Sequence, residues 1–190
     1  YRKHVIDLVV AQGAGADTEG MSVEQRRAHV TRRVESRAAN GIPYAFPKLV
    51  SSLCGPQGDL VIPADASQFD WELELGVVIG RAAWRVPREQ AGSVIAGYPI
   101  VNDLTRRELV YREDLKSIGS DWLRAKSGPG FMPTGPYFVP AAFVSDPQAL
   151  QIRLELNGQV MQDESTADML FDINRQIEYV SSYARLLPGD

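Results

Sequence analysis

Asp70-Trp71-Glu72-Leu73-Glu74-Leu75-Gly76-Val77-Val78-Ile79-Gly80 is the stretch whose reading decides the fold. Acidic and apolar residues alternate through its first half, which is the period of a β-strand. Asp70, Glu72 and Glu74 then share one face, and Trp71, Leu73 and Leu75 the other. At about 3.3 Å of rise per residue, the Cα atoms of Glu72 and Glu74 lie roughly 7 Å apart, close enough to repel and well placed to share a cation. A solvated strand face explains the same alternation, since half-exposed strands commonly carry acids at every second position. Against it, Val77-Val78-Ile79 reads as buried on both faces and carries the strand into a core. Acids at the mouth of a core strand need a counter-charge.

The 190 residues, 44% hydrophobic and 23% charged, are enough for one globular domain with a sizeable core. A formal net charge of −4 gives no electrostatic reason to expect a nucleic-acid partner. Cys54 is the one cysteine, which rules out an internal disulfide and suits a reducing compartment; it reads as a small buried hydrophobe. No apolar run approaches the roughly 20 residues of a membrane span, and no signal-peptide pattern opens the chain. The expectation is a cytoplasmic protein without a membrane partner. Both ends read as cut, because the chain opens on Tyr1 and stops at Pro188-Gly189-Asp190, a turn sequence that usually leads into another strand.

In Tyr1-Arg2-Lys3-His4-Val5-Ile6-Asp7, a helical turn places His4 and Asp7 three apart on one side, within hydrogen-bond reach. Such a pair is usually structural. Gly13 to Thr18 reads as a flexible loop lacking the spacing and preceding strand of a dinucleotide site. Ser22-Val23-Glu24-Gln25 is a capping box that opens a helix to about Asn40, with Gly41 as the stop. Its arginines 26, 27, 32, 33 and 37, interleaved with Glu24 and Glu35, read as a solvated face, with His29 exposed and idle. Ile42 to Lys48 is extended by its prolines, which places Lys48 to face the acids. Leu60 to Pro63 reads as a short strand, and 86–90 as a short helix. Val94 to Val101 reads as a second buried strand ending on Asn102-Asp103, and Thr105 to Leu115 as a charged helix. Trp122 to Ser127 leads into a Gly/Pro loop, 128–136. Leu150 to Leu156 alternates as a strand, and Asn157-Gly158 is a hairpin turn into Gln159 to Asp163. An amphipathic helix with Ile173, Ile177, Val180 and Ala184 at helical spacing closes at Leu186-Leu187-Pro188-Gly189.

Asp70 to Gly80, Ala96-Gly97-Tyr98-Pro99-Ile100-Val101-Asn102-Asp103 with Arg107, Trp122 to Ser127, Asn157-Gly158 through Gln162-Asp163, and Ser165-Thr166-Ala167-Asp168-Met169 together resemble the fumarylacetoacetate hydrolase family. The resemblance runs from Lys48 onward, and Tyr1 to His4 is similar to the family's Asn-Tyr-x-x-His motif. It implies an α+β fold, a mixed β-sheet roll with peripheral helices, in a homodimer. Residues 1–190 are then a single catalytic domain in which 8–45 is a lid or insert. By resemblance, Glu72, Glu74 and Asp103 are the metal ligands. Three carboxylates suit a hard cation, Mg²⁺ first, with Mn²⁺ or Ca²⁺ as alternatives, and suit zinc poorly. Arg107 and Lys126 fall on positions that hold the substrate's carboxylate and oxo groups, with Lys48 as a further substrate-binding cation. His4 falls on the general base and Asp7 on the acid that orients it, so that His4, Asp7 and Lys126 form the catalytic set. The sequence departs from the family at Asp7, where Glu is usual, and at Arg106-Arg107-Glu108, where Ala-Arg-Asp is common. The stretch from His4 to Lys48 is longer than in compact members, and the Thr-Gly-Thr-Pro strand that normally follows Pro-Gly-Asp is missing.

The expected reaction is hydrolysis of a carbon–carbon bond in a 2,4-dioxo acid of the acylpyruvate or fumarylpyruvate type, giving pyruvate and a carboxylic acid. His4 would take a proton from water, the hydroxide would attack carbon 4, and cleavage between carbons 3 and 4 would leave a pyruvate enolate that the cation stabilises. The same device serves decarboxylation or isomerisation of 2-oxo dicarboxylic acids such as oxaloacetate, which is the alternative. A third reading, from another class, is a non-catalytic domain that binds a 2-oxo acid.

Overall fold

Residues 1–11 and 17–190 are described by the structure, a computed structural model. In chain order they form α1 (Arg2–Ala11), α2 (Val23–Asn40), β1 (Leu53–Cys54), β2 (Phe69–Asp70), β3 (Leu73–Leu75), β4 (Val78–Ile79), β5 (Ile95–Asn102), β6 (Thr105–Arg106), α3 (Trp122–Lys126), β7 (Met132–Pro140), β8 (Gln151–Leu156), β9 (Gln159–Ser165) and α4 (Ile173–Tyr183). β5 is the hub: it pairs antiparallel with β3, β4 and β7, while β7 pairs in parallel with β1, so the sheet is mixed. β2 with β6, and β8 with β9, form separate two-stranded sheets. This is the α+β architecture, a mixed sheet with helices at its periphery, that the sequence leads one to expect.

The acidic stretch does not form one strand. It is broken into β2, β3 and β4, and the reason lies in its partner. Pro99 of β5 has no N–H to give, so the ladder is interrupted there; Gly76 N–H still reaches Pro99 O at 2.9 Å, and β4 resumes only at Val78 opposite Gly97. Ile79 is buried, but Val77 and Val78 are only partly so. Ile79 belongs to the core with Ala83, Ala91, Val94 and Tyr98, onto which Ile173 and Ile177 of α4 pack from one helical face.

Other readings shift where tertiary partners outweigh local preference. Thr105 to Leu115 is not a helix: Thr105 pairs with Asp70 in the β2–β6 ladder and Arg107 N–H donates to Gln68 O at 2.8 Å, leaving one 3₁₀ turn at Arg107–Leu109. The expected loop 128–136 contains the start of β7, recruited by pairing with β5. Leu60 to Pro63 forms no strand, and the short helix expected at 86–90 is a 3₁₀ segment, Arg88–Val94. Cys54 is half-buried, its Sγ 3.4 Å from Gly130 O. His29 is also half-buried, with Nε2 3.5 Å from Asp17 Oδ2. The loop read at Gly13 to Thr18 lies, over 13–16, outside the described residues.

The capping box of α2 forms as read: Ser22 Oγ accepts from Gln25 N–H at 3.2 Å, and Gln25 Oε1 accepts from Ser22 N–H at 3.0 Å. Val30 and Val34 are its buried stripe. Asn157 and Gly158 take positive φ, 52° and 77°, at the β8–β9 hairpin, as a type I′ turn requires. Among the described residues no helix is long and apolar enough to cross a membrane.

At Gly97, β5 lies too close to β7 for a side chain. A Cβ there would stand 2.3 Å from Val139 O and 2.9 Å from Pro140 Cα, backbone atoms that no rotamer change can move. Gly97→Ala is therefore expected to destabilise the fold by about 1–3 kcal/mol, read as a lowered denaturant midpoint. Gly58→Ala, where a Cβ meets nothing within 4 Å, serves as the control.

Candidate functional site

Sheet register brings the three carboxylates together. Leu73 pairs with Asn102 and Glu74 with Val101, so Glu72, just before β3, and Glu74 within it lie beside the residue that follows β5, Asp103. Asp103 N–H donates to Glu72 O at 2.8 Å, and Glu72 N–H donates to the Asn102 side chain, Oδ1, at 3.0 Å. One carboxylate oxygen from each of Glu72, Glu74 and Asp103 then lies within 4.8 Å of the other two. An ion with oxygen bonds of about 2.1–2.5 Å spans oxygens up to roughly 5 Å apart, so this all-oxygen set fits a hard divalent cation.

Three cationic side chains converge on the same oxygens. Lys126, 2% exposed, donates to Glu72 Oε2 at 2.8 Å and to Asp103 Oδ2 at 2.5 Å. Lys48 Nζ reaches the other Asp103 oxygen, as the sequence places it to do. Arg107 bridges two acids, from Nε to Asp70 Oδ2 at 2.8 Å and from its terminal nitrogen to Glu72 Oε1 at 2.5 Å. Burial alone would lower the Lys126 pKa, but Glu72 and Asp103 hold it above the ordinary lysine value. Lys48 goes the other way, because desolvation outweighs its bond to Asp103. Glu74 has no ion pair among the described residues, and its pKa is pushed up to about 7, first by burial and then by the charges of Asp103 and Glu72.

Aromatic side chains complete the setting of Lys126, and the sequence alone gave no reason to pick them. Phe46 and Trp122 stack at 5.3 Å, and the Lys126 ammonium lies 5.4 Å and 5.5 Å from their ring centres. Such contacts stabilise a desolvated cation. Asp70, named only as part of the strand, is the second acid on Arg107. Gln162, quoted within a motif but given no task, reaches the Leu73 backbone.

An open cleft of about 1020 Å³ adjoins this centre at Glu74 and Trp122. Its walls are largely apolar, with Val5 and Val9 from α1, Val30 and Val34 from α2, and Leu75 and Phe171 opposite. α1 is docked by Lys3, whose N–H donates to Asp168 Oδ2 at 2.9 Å and whose ammonium lies 3.0 Å from Glu164. Tyr1 also lines the cleft, and burial followed by the Glu74 charge raises its pKa to about 12. His4 stands on the exposed side of α1, and the Asp7 carboxylate is held by Arg27 at 2.7 Å. The structure thus gathers Glu72, Glu74, Asp103, Lys48, Arg107 and Lys126 into one place, and sets His4 and Asp7 outside that cluster with no bond between them.

A mixed-sheet α+β protein with a carboxylate centre facing an apolar cleft has its counterpart among known sequences. The sequence model described as Fumarylacetoacetate (FAA) hydrolase C-terminal matches residues 16–190, and the chain belongs to that family. It is 41% identical over 148 residues, 78% of this chain and 50% of the relative, to the 2,4-didehydro-3-deoxy-L-rhamnonate hydrolase of Sphingomonas sp. (strain SKA58). Among solved structures it is similar to the 5-carboxymethyl-2-hydroxymuconate delta-isomerase of Mycobacterium smegmatis, with a TM-score of 0.68 and 38% identity over 78% of this chain and 57% of that one. The 2-hydroxyhepta-2,4-diene-1,7-dioate isomerase of Mycobacterium marinum gives 0.68 and 39% over 76% and 54%. The chain spans about half the length of the curated relatives it matches.

Removing the buried ammonium tests the charge balance. Lys126→Met keeps the stem but leaves Glu72 and Asp103 facing each other, a loss of about 3–5 kcal/mol for breaking a buried ion pair. Denaturant titration in EDTA should show that loss. Mn²⁺ should restore part of it, because a bound cation replaces the missing charge.

Proposed function

We propose that this protein is a divalent-cation-dependent hydrolase that cleaves the carbon–carbon bond of 2,4-dioxo acids, of the acylpyruvate or fumarylpyruvate type, to pyruvate and a carboxylic acid. The observation that carries the reading is the convergence of three carboxylates and three cationic side chains beside a cleft that Glu74 lines. The relative named as a hydrolase of a didehydro-deoxy sugar acid supports it.

Glu72, Glu74 and Asp103 are the proposed ligands, with Mg²⁺ the preferred ion and Mn²⁺ or Ca²⁺ as substitutes. When bound, the cation supplies Lewis-acid polarisation of a 2-oxo group and neutralises the negative charge that develops there. Lys126, Arg107 and Lys48 balance the substrate's carboxylate and orient its 2-oxo end. The cleft takes the acyl portion, with α2, from the 8–45 segment read as a lid, forming one wall. His4 is the proposed base for the attacking water, oriented by Asp7; both lie on α1, whose Val5 and Val9 line the same cleft. We read residues 1–190 as one catalytic domain, working as a homodimer in the cytoplasm.

A second reading, isomerisation or decarboxylation of a 2-oxo dicarboxylic acid, is favoured by a specific observation. His4 is exposed and Asp7 is engaged by Arg27, while these reactions need enolate stabilisation and no water-activating base. Two similar structures carry isomerase names.

The deciding experiment follows dioxo absorbance with acylpyruvates of graded length, fumarylpyruvate and oxaloacetate, with and without Mg²⁺. Hydrolysis only with the cation present is expected. Glu72→Gln and Glu74→Gln should weaken Mn²⁺ binding sharply, and His4→Ala should lower turnover by about 10²–10⁴ while leaving Mn²⁺ affinity intact. Full activity in EDTA would falsify the metal assignment. A preference for oxaloacetate that His4→Ala leaves unchanged would promote the second reading, and binding of both ion and acid without turnover would mark a non-catalytic protein.

A further inference from the structure

β3 is the edge strand of its sheet, in the order β1-β7-β5-β3, so among the described residues one side of its backbone has no strand to pair with. Leu73, between Glu72 and Glu74, is only 8% exposed, and water is a poor substitute for a ladder partner at such a position. The missing partner is a side chain. Leu73 N–H donates to Gln162 Oε1 at 3.0 Å, and Gln162 Nε2 donates to Leu73 O at 2.7 Å. The primary amide thus reproduces both bonds of an antiparallel pair, from a residue 89 positions away in sequence.

With Glu72 N–H bound to Asn102 Oδ1 and Glu72 O bound by Asp103 N–H, every backbone polar group of residues 72 and 73 has a partner. The backbone that spaces the two carboxylates is pinned from both sides. Gln162 is aimed by the hairpin that carries it. In the β8–β9 ladder Leu154 pairs with Gln162 and Glu155 with Val160, so Met161 is an extra residue, and a bulge of this kind re-aims the side chain beside it. Two residues along β9, Glu164 holds Lys3 of α1. One short strand therefore grips both the acidic strand and the helix bearing His4.

We infer that Gln162 is a positioning residue for the cation site, fixing the separation of Glu72 and Glu74 by completing the backbone hydrogen bonds of Leu73. The inference rests on the proposed assignment of those two acids as ligands. It requires the amide as such: a carboxylate at this position keeps the acceptor for Leu73 N–H but loses the donor to Leu73 O, and an apolar side chain of the same length loses both.

The test uses the full chain, with Mn²⁺ as the probe by calorimetry and hydrogen exchange of the Leu73 amide as an independent reading. Gln162→Met should weaken Mn²⁺ by about 10- to 100-fold, the range found when partners that orient ligands are removed. It should also speed Leu73 exchange while leaving exchange in α4 unchanged. Gln162→Glu should fall between Gln162→Met and the unaltered protein. Gln151→Ala, which breaks the 2.7 Å contact with Asp163 in the same hairpin, should change neither reading. Faster Leu73 exchange with Mn²⁺ affinity within twofold of the unaltered protein would make Gln162 merely structural and overturn the inference; unchanged exchange would overturn it as well. If Gln162→Met does not fold, Gln162→Glu decides on the same criteria. Failure of the unaltered protein to bind Mn²⁺ would instead sink the metal assignment, and Leu73 exchange would still report whether the amide holds the strand.

Discussion

Three carboxylates, one oxygen of each within 4.8 Å of the other two, repel strongly, and much of the structure is arranged around that repulsion. At an effective dielectric near 20, two like charges about 4 Å apart cost on the order of 4 kcal/mol. Lys126, Lys48 and Arg107 offset this by engaging both oxygens of Asp103 and both of Glu72. Glu74 is left over in an excess of negative charge, its pKa raised first by burial and then by the charges of Asp103 and Glu72. A divalent cation is the simplest entity that would relieve it. The lysine able to sit among these acids is itself desolvated, and the Phe46 and Trp122 rings stand where water would otherwise solvate it.

Such a site needs a stiff backbone, and the core that supplies it is elsewhere. Ile79, Val94, Tyr98, Ile173 and Ile177 pack at the far end of the acidic stretch, where β4 meets β5 and α4 closes over them. The sheet transmits this rigidity to the acids through β5, whose continuous run ends one residue before Asp103. The breaks around β3 serve the same end: on the β5 side, where Pro99 interrupts the ladder, the Asn102 side chain takes the Glu72 N–H, and on the other side the Gln162 amide stands in for a strand.

The proposed chemistry follows from the contrast between the charged centre and the cleft that adjoins it at Glu74. In that reading the three anions and three cations suit a small ligand with adjacent carboxylate and oxo groups, while the walls from α1 and α2 suit an apolar or conjugated remainder. Family membership is compatible with both hydrolysis and isomerisation, since a stabilised enolate serves each. Between the two proposed readings the difference is whether a base reaches water, and the proposed base, His4, lies on α1. That helix is tied to β9 through Lys3 and to α2 through the Asp7–Arg27 pair.

Local rules written in the sequence were enough for some elements. The capping box at Ser22, the hairpin at Asn157-Gly158, the apolar stripe of Ile173 and Ile177, and the alternation that puts Glu72 and Glu74 on one side depend on neighbours a few residues apart, and all are legible without coordinates. The candidate ligands and cations were legible too, through family motifs that pattern alone would not have ranked above a solvated strand face. What only the tertiary structure decided depends on partners far along the chain. Pro99 breaks the acidic strand because it lies opposite it, Thr105 becomes β-structure because Asp70 pairs with it, and Gln162 matters because Leu73 sits on an edge. Asp7 illustrates the limit most plainly: its spacing from His4 permits a hydrogen bond, but a guanidinium 20 residues away, brought near by the packing of two helices, takes its carboxylate. Short-range periodicity fixes which face a side chain is on; long-range pairing fixes what it meets there.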